Sequence, residues 1–254
     1  CDHLHLKAHE ADHASSSGNF RLAVDRRFTV PGAGLVVTGT VFSGDVNDDD
    51  RLVLSPSGLP VRVRGIHAQN KKAARGQVGQ RCALNIAGPN IEKDCVHRGD
   101  WVVAETAHAP TSRLDARIRL LNSEPCPLKH WTPVHLHLGA ADVTARVAVL
   151  GERQVSPGHS ALIQLVLDHP IGAVREDRLI LRDQSALRTM GGGRVIDPFA
   201  PARGRARPER LEILRALEED NPAKALMSLL KLITSGVDLS QFCRARNLNK
   251  LEMT

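Results

Sequence analysis

Tyrosine is missing from the 254 residues, and aromatic residues make up only 3% of them. A single-strand nucleic-acid platform needs successive rings for bases to stack on, so that class is excluded. Cysteine is scarce too: Cys1, Cys82, Cys95, Cys126 and Cys243 are scattered, odd in number and never spaced as C-x-x-C. This speaks against a disulfide framework or a zinc site and for a reducing compartment. No apolar run approaches the ~18 residues of a membrane span, and no secretory signal pattern opens the chain. The expectation is a soluble cytoplasmic protein with no membrane partner.

Catalytic groupings are also lacking. There is no G-x-x-x-x-G-K-[ST] phosphate loop, no nucleophile elbow and no H-E-x-x-H helix. Gly191-Gly192-Gly193 is the most obvious glycine run, but it leads into RVIDP rather than a helix opened by lysine. Its expected role is a tight turn before a closing strand, with no phosphate bound. His67, His97, His130, His135 and His137 fall at unrelated spacings. His135 and His137 share a strand face and could chelate, though satisfied or exposed imidazoles are the commoner outcome. His5, His9 and His13 fall four apart and would share a helix face, yet no acid or thiol completes a ligand set. No metal site and no active site are expected.

What is present is enough apolar residue, 42%, to bury real cores, and a net charge of +6 with a pI near 9.4. The balance mildly favours an anionic partner, nucleic acid above all. Residues 61 to 81 sharpen that hint, because they hold Arg62, Arg64, Lys71, Lys72, Arg75 and Arg81 and no acid. Phosphate contacts need cations at no particular spacing, so this stretch is a candidate backbone-contacting surface.

From Phe20 to about Ala107, short alternating runs separated by turn residues predict an all-β barrel: GLVVTGTV, RLVLSP, VRVRGIHAQN, RCALNIAG and DWVVAET. A second all-β block runs from Pro110 to Phe199 through LDARIRLL, PVHLHLGA, VTARVAVL, SALIQLVL and DRLILRD. At Pro201 the texture changes. Arg203, Arg205, Arg207 and Arg210 form a basic linker, a weaker candidate for RNA backbone, and a helical period follows. Pro208 suits a first helical turn, Asn221 a cap before Pro222, and Asp238 with Gln241 an acidic capping box. FCRARNLNK supplies the third helix and its exit, so the end resembles the opening of a winged-helix domain. The expected fold class is mainly β, two consecutive β-barrels and then a short helical segment. The domains expected are a linker or tail over 1–18, barrels over 19–108 and 109–200, and the basic linker with its helices over 201–254.

One strand breaks its own rule. In FRLAVDRRF, Phe20, Leu22 and Val24 share a face, and Arg26 takes the next place in that row before Phe28. Asp25 and Arg27 flank it. The bland reading is a solvated strand end with Arg26 paired to a carboxylate.

GAGLVVTGTVFSGDV followed by RLVLSP resembles the second domain of translational GTPases, the EF-Tu-like barrel. FRLAVDRRFTVPGAGLVVTGT, RVRGIHAQN, GQRCALNIAG, RGDWVV and TMGGGRVIDP together resemble a narrower family, the bacterial selenocysteine-specific elongation factor SelB, over Phe20 to about Pro198. The basic linker and helices are similar to the start of that family's C-terminal winged-helix arm.

The resemblance implies a translation factor piece that binds selenocysteinyl-tRNA for delivery to the ribosome at recoded UGA codons. Its winged-helix arm would read a selenocysteine insertion hairpin in mRNA, but most of that arm is lacking. The full-length family is a GTPase, whereas this sequence lacks the phosphate loop, the D-x-x-G switch and the N-K-x-D guanine reader. GTP and magnesium are therefore expected only in a preceding domain, and no cofactor in this segment. The family's pocket for the selenocysteinyl group corresponds to Asp25 and Arg26 in VDR and Arg81 in GQR, with Asp25 for the α-amino group and the arginines for the selenolate. In the turn after Val46 the sequence departs from the family pattern, with Asp49 where glycine is usual. If that position needs a positive φ, aspartate accommodates it at modest cost. The alternatives are an EF-Tu-like tRNA-binding factor without selenocysteine specificity, and a histidine-based metalloenzyme.

Overall fold

The computed structural model describes residues 18–249. They form two compact units, the first running to His108 and taking in Asn247 onward, the second spanning Ala109–Arg246.

The first unit contains β1 (Arg21–Val30), β2 (Gly34–Ser43), β3 (Asp45–Asn47), β4 (Arg51–Ser55), β5 (Pro60–Ala68), β6 (Lys71–Ala73), β7 (Arg75–Gln77), β8 (Arg81–Ala87) and β9 (Trp101–Val103). The order β4-β9-β1-β2-β8-β5 closes through a β4–β5 pairing, and β6 extends β5. Closure removes the free edges that short antiparallel strands otherwise expose. Inside lie the alternate residues of each strand, among them Leu22, Val24, Val37, Leu54, Val63, Ile66 and Leu84. The turn between β3 and β4 does adopt a positive φ at Asp49, 72°. Its carboxylate meets Arg62 at 2.9 Å, so the aspartate gains an ion pair there.

Alternation fails after Val24 in β1 and after Val63 in β5, and each is a bulge. Along β1, Val24 pairs with Gly39 and Arg26 with Thr38, which leaves Asp25 as the extra residue. An inserted residue turns every later side chain to the other face. Arg26 and Phe28 therefore leave the core row, contrary to the reading of the strand as one uninterrupted face. The partner strand must come close here, and it does so at Gly39, where a Cβ would sit 1.9 Å from the Ala23 carbonyl oxygen. Along β5 the register slips between Val63 and Gly65, so Ile66 rather than Gly65 resumes the inner row.

The second unit holds β10 (Pro110–Leu120), β11 (Leu128–Lys129), β12 (Thr132–Leu138), β13 (Ala141–Val149), β14 (Gln154–Val155), β15 (Ser160–Gly172), β16 (Arg178–Arg182) and β17 (Thr189–Asp197). A closed barrel forms in the order β10-β15-β13-β12-β16-β17. The triple glycine is not a turn. It lies inside β17, the closing strand, paired with β10 on one side and β16 on the other.

Helices α1 (Pro208–Leu217), α2 (Pro222–Leu232) and α3 (Leu239–Ala245) complete this unit. The sequence-predicted caps are in place: Asn221 accepts from the Lys224 amide and Asp238 from the Gln241 amide, both at 3.0 Å. The third helix begins earlier than FCRARNLNK suggested, directly after its Asp238 cap. Leu214 of α1 packs with Leu150, Leu162 and Ile196 of the barrel. Beneath that apolar contact, the Arg210 guanidinium reaches Asp115 and Asp197, each at 2.6 Å. Burial pushes the Asp115 carboxyl above its ordinary value, partly offset by the charge and hydrogen bond of Arg210. The carbonyls at the end of α1 are taken by Arg175 and Arg246. Burial, and then the nearby Arg175 charge, bring Arg246 down to about 10.

Candidate anion-binding site on the first barrel

The two bulges fall on β1 and β5, and the outer face between those strands, across β2 and β8, holds a cavity of 530 Å³. Arg26 and Phe28 reach it because of the first bulge, beside Thr38 and Val36 on β2, Ala83 and Asn85 on β8, and His67 on β5. Gly65, at the second bulge, leaves the floor open: a Cβ there would have nothing within 4 Å. The Asn85 amide donates to the Ala33 carbonyl at 2.9 Å and fixes the hairpin that forms the rim.

Asp25, Arg26 and Arg81 come together at one end. Arg81 donates to both oxygens of Asp25 at 2.8–3.1 Å, a two-pronged ion pair. Thr38 Oγ1 donates to Asp25 Oδ1 at 2.8 Å, and Arg81 Nη2 donates to Thr38 Oγ1 at 3.2 Å. Burial alone would raise the Asp25 carboxyl. The hydrogen bonds from Arg81 and Thr38 and the charges of Arg81 and Arg26 outweigh it and hold the carboxyl below its ordinary value. The pair remains open to solvent, with side-chain exposures of 50% for Arg81 and 32% for Asp25, so a ligand has access. Arg26 is exposed, and its charge acts on Asp25 across space while no hydrogen bond or close ion pair holds it among the described residues. Arg27 turns elsewhere, to the Lys93 carbonyl and Asp94.

The basic candidates are dispersed. Arg64, Lys71 and Lys72 are exposed, while Arg62 pairs with Asp49 and Arg75 with Asp45. In the second unit Arg203 and Arg207 are exposed, and Arg205 leans over the Trp131 ring at 5.5 Å. Arg210 is largely withdrawn, its guanidinium held by two carboxylates. Among the described residues no cluster of three or more His, Cys, Asp or Glu is arranged for a metal. His5, His9 and His13 lie outside the described residues. No helix among the described residues is long and apolar enough to cross a membrane. Sequence reasoning missed Thr38, which reads as one more β-branched residue of GLVVTGTV; its only mark was being a hydroxyl in an apolar run.

Two successive six-stranded β-barrels, the first carrying an open cavity edged by arginines, define an elongation-factor-like fold. Residues 34–103 match the family description "Elongation factor Tu domain 2", and residues 108–202 match "Selenocysteine-specific elongation factor, beta-barrel domain". The chain is 42% identical over 248 residues to the selenocysteine-specific elongation factor of Escherichia coli, covering 98% of this chain and 38% of that protein. With the counterpart from Haemophilus influenzae it shares 34% over 227 residues, covering 89% of this chain and 36% of that one. A crystal structure of a bacterial selenocysteine-specific elongation factor superposes with a TM-score of 0.76 at 21% identity, over 99% of this chain and 40% of that one. The chain belongs to the selenocysteine-specific elongation factor family, and it spans less than half the length of these relatives.

Proposed function

We propose that the cavity on the first barrel receives the aminoacyl end of selenocysteinyl-tRNA, for delivery to the ribosome at recoded UGA codons in the cytoplasm. The observation that carries the reading is the free guanidinium of Arg26 beside the anchored Arg81, next to an apolar wall, in a chain so similar to these factors. A selenol is far more acidic than the cysteine thiol, whose reference pKa is about 8.5, so selenocysteine arrives as an anion and serine does not. A cationic pocket then discriminates by charge: with serine present, the Arg26 guanidinium gains no counter-ion from the ligand.

Asp25 keeps Arg81 in place and shares one oxygen with the ligand's α-amino group. Arg62, Arg64, Lys71, Lys72 and Arg75, with Arg203, Arg205 and Arg207 on the second unit, contribute phosphate contacts to the tRNA. GTP and magnesium belong to a GTPase domain outside the two barrels, and hydrolysis is supplied there. The helices after the second barrel belong to the arm that reads the mRNA hairpin.

Binding of the chain and of Arg81→Ala to selenocysteinyl-tRNA and seryl-tRNA, on one tRNA body, tests this. Arg81→Ala is expected to weaken selenocysteinyl-tRNA by roughly 1.5–3 kcal/mol, the range for hydrogen bonds to a charged group. Seryl-tRNA binding should barely change. Equal losses for both would sink the pocket assignment and leave an EF-Tu-like module without selenocysteine specificity.

A further inference from the structure

We infer that Thr38 is a positioning residue of this pocket and sets its selectivity by holding the head of Arg81. The inference rests on the anion-pocket reading above, but it has its own observable.

Thr38 is 8% exposed, and its hydroxyl faces the clamp rather than solvent. As donor it reaches Asp25 Oδ1 at 2.8 Å, and as acceptor it takes Arg81 Nη2 at 3.2 Å. One hydroxyl proton and one lone pair are thus both used, which closes a three-membered ring of Asp25, Thr38 and Arg81. An Arg–carboxylate fork alone fixes the plane of the guanidinium but leaves its long stem free to swing with its partner. The third contact comes from a β-branched residue on the central strand of the site, whose χ1 is stiff. It ties both members of the pair to β2. The bulge at Asp25 contributes as well, since it sets Arg26 directly opposite Thr38 and leaves Asp25 unpaired in the ladder.

The consequence is a division of labour between the arginines. Arg81 is neutralised and held still, and Arg26 is left to receive the charge. An anion that enters meets a fixed donor edge on one side and an exposed cation on the other. Without the hydroxyl the fork survives, yet its position drifts, and the distance between the two guanidiniums is no longer set.

Thr38→Val is nearly isosteric and keeps the β-branched shape the strand prefers, so folding is preserved. Two measurements decide the matter. The first needs no ligand: the side-chain Nε–H signal of Arg81 is followed by NMR in wild type, Thr38→Val and Thr38→Ser. Solvent exchange of that proton is expected to accelerate at least threefold in Thr38→Val and to return toward wild type in Thr38→Ser. An Arg81 signal unmoved by Thr38→Val overturns the inference. The second uses selenocysteine methyl ester and serine methyl ester, under reducing conditions, titrated against the same signals. The wild-type preference for the selenolate should fall three- to tenfold in Thr38→Val and be restored in Thr38→Ser. If wild type shows no preference at all, the pocket reading fails, and the Arg81 exchange rate still decides the role of Thr38. A wild-type preference retained in Thr38→Val leaves the pocket standing and removes Thr38 from it.

Discussion

Replacing Arg210 with alanine is expected to cost the second unit roughly 3–5 kcal/mol of unfolding free energy, the range for stripping one partner from a buried ion pair. Asp115 is fully buried, and Asp197 nearly so, and one guanidinium serves both. Its removal strands two like charges side by side in an apolar setting under α1. Burial opposes the Arg210 charge, but the two carboxylates outweigh it and keep the guanidinium protonated. The pH dependence follows from Asp115, whose carboxyl already sits above its ordinary value and moves further up once Arg210 is gone. A raised carboxyl binds its proton in the folded state first, so the variant loses stability as pH rises through that carboxyl's pKa. Acidification from pH 7 toward about pH 5 should therefore recover part of the deficit. Urea melts followed by Trp131, the only tryptophan of the second unit, separate this from the first unit, which Trp101 reports. A loss under about 1 kcal/mol, the ceiling for an exposed pair, would show that the carboxylates are solvated after all. Any effect on RNA binding should track unfolding, since this guanidinium is already taken by Asp115 and Asp197.

Arg210 also marks where reading the sequence stops. In the linear chain it is the fourth arginine of a basic linker, indistinguishable from Arg203 or Arg207. Its carboxylates lie 95 and 13 residues away and meet it only after the barrel has closed. Local signals survived folding far better. The caps at Asn221 and Asp238 and the tolerated positive φ at Asp49 depend on four or five neighbouring residues, and each is where its spacing put it. Arg26 lies between these cases. The alternation of FRLAVDRRF did register that something was wrong at that position, but a broken period has two causes. Either a polar side chain enters the core, or an inserted residue resets the phase. Only the partner strand distinguishes them, through the pairing of Val24 with Gly39 and Arg26 with Thr38. The same ambiguity attended VRVRGIHAQN, whose phase resets before Ile66. Asp25, Arg26 and Arg81 were placed together by family resemblance, while Thr38, which links two of them, has no signature short of three-dimensional contact.

The glycine run supplies the sharpest contrast between the two ways a Gly-rich stretch can matter. A phosphate loop uses glycine to bring backbone amides near an anion, and adding a methyl group there harms binding while folding continues. A barrel seam uses it to bring two strands near each other. At Gly193 a Cβ would stand 1.9 Å from the Arg117 carbonyl oxygen, and at Gly191 2.4 Å from that of Arg119. Both obstacles are backbone of β10, which cannot swing aside as a side chain can. Gly193→Ala must therefore spread the seam between β10 and β17, whose pairing closes the barrel. The expected cost is at least the roughly 3 kcal/mol at the top of the ordinary overpacking range. Gly65→Ala is the control: it too is a strand glycine, but its Cβ would enter open space. Its stability should stay within about 0.5 kcal/mol of wild type. Trp131 fluorescence in urea measures the first and Trp101 the second. A Gly193→Ala protein with a wild-type midpoint would mean the seam has slack, and the glycines would then need another explanation than strand approach.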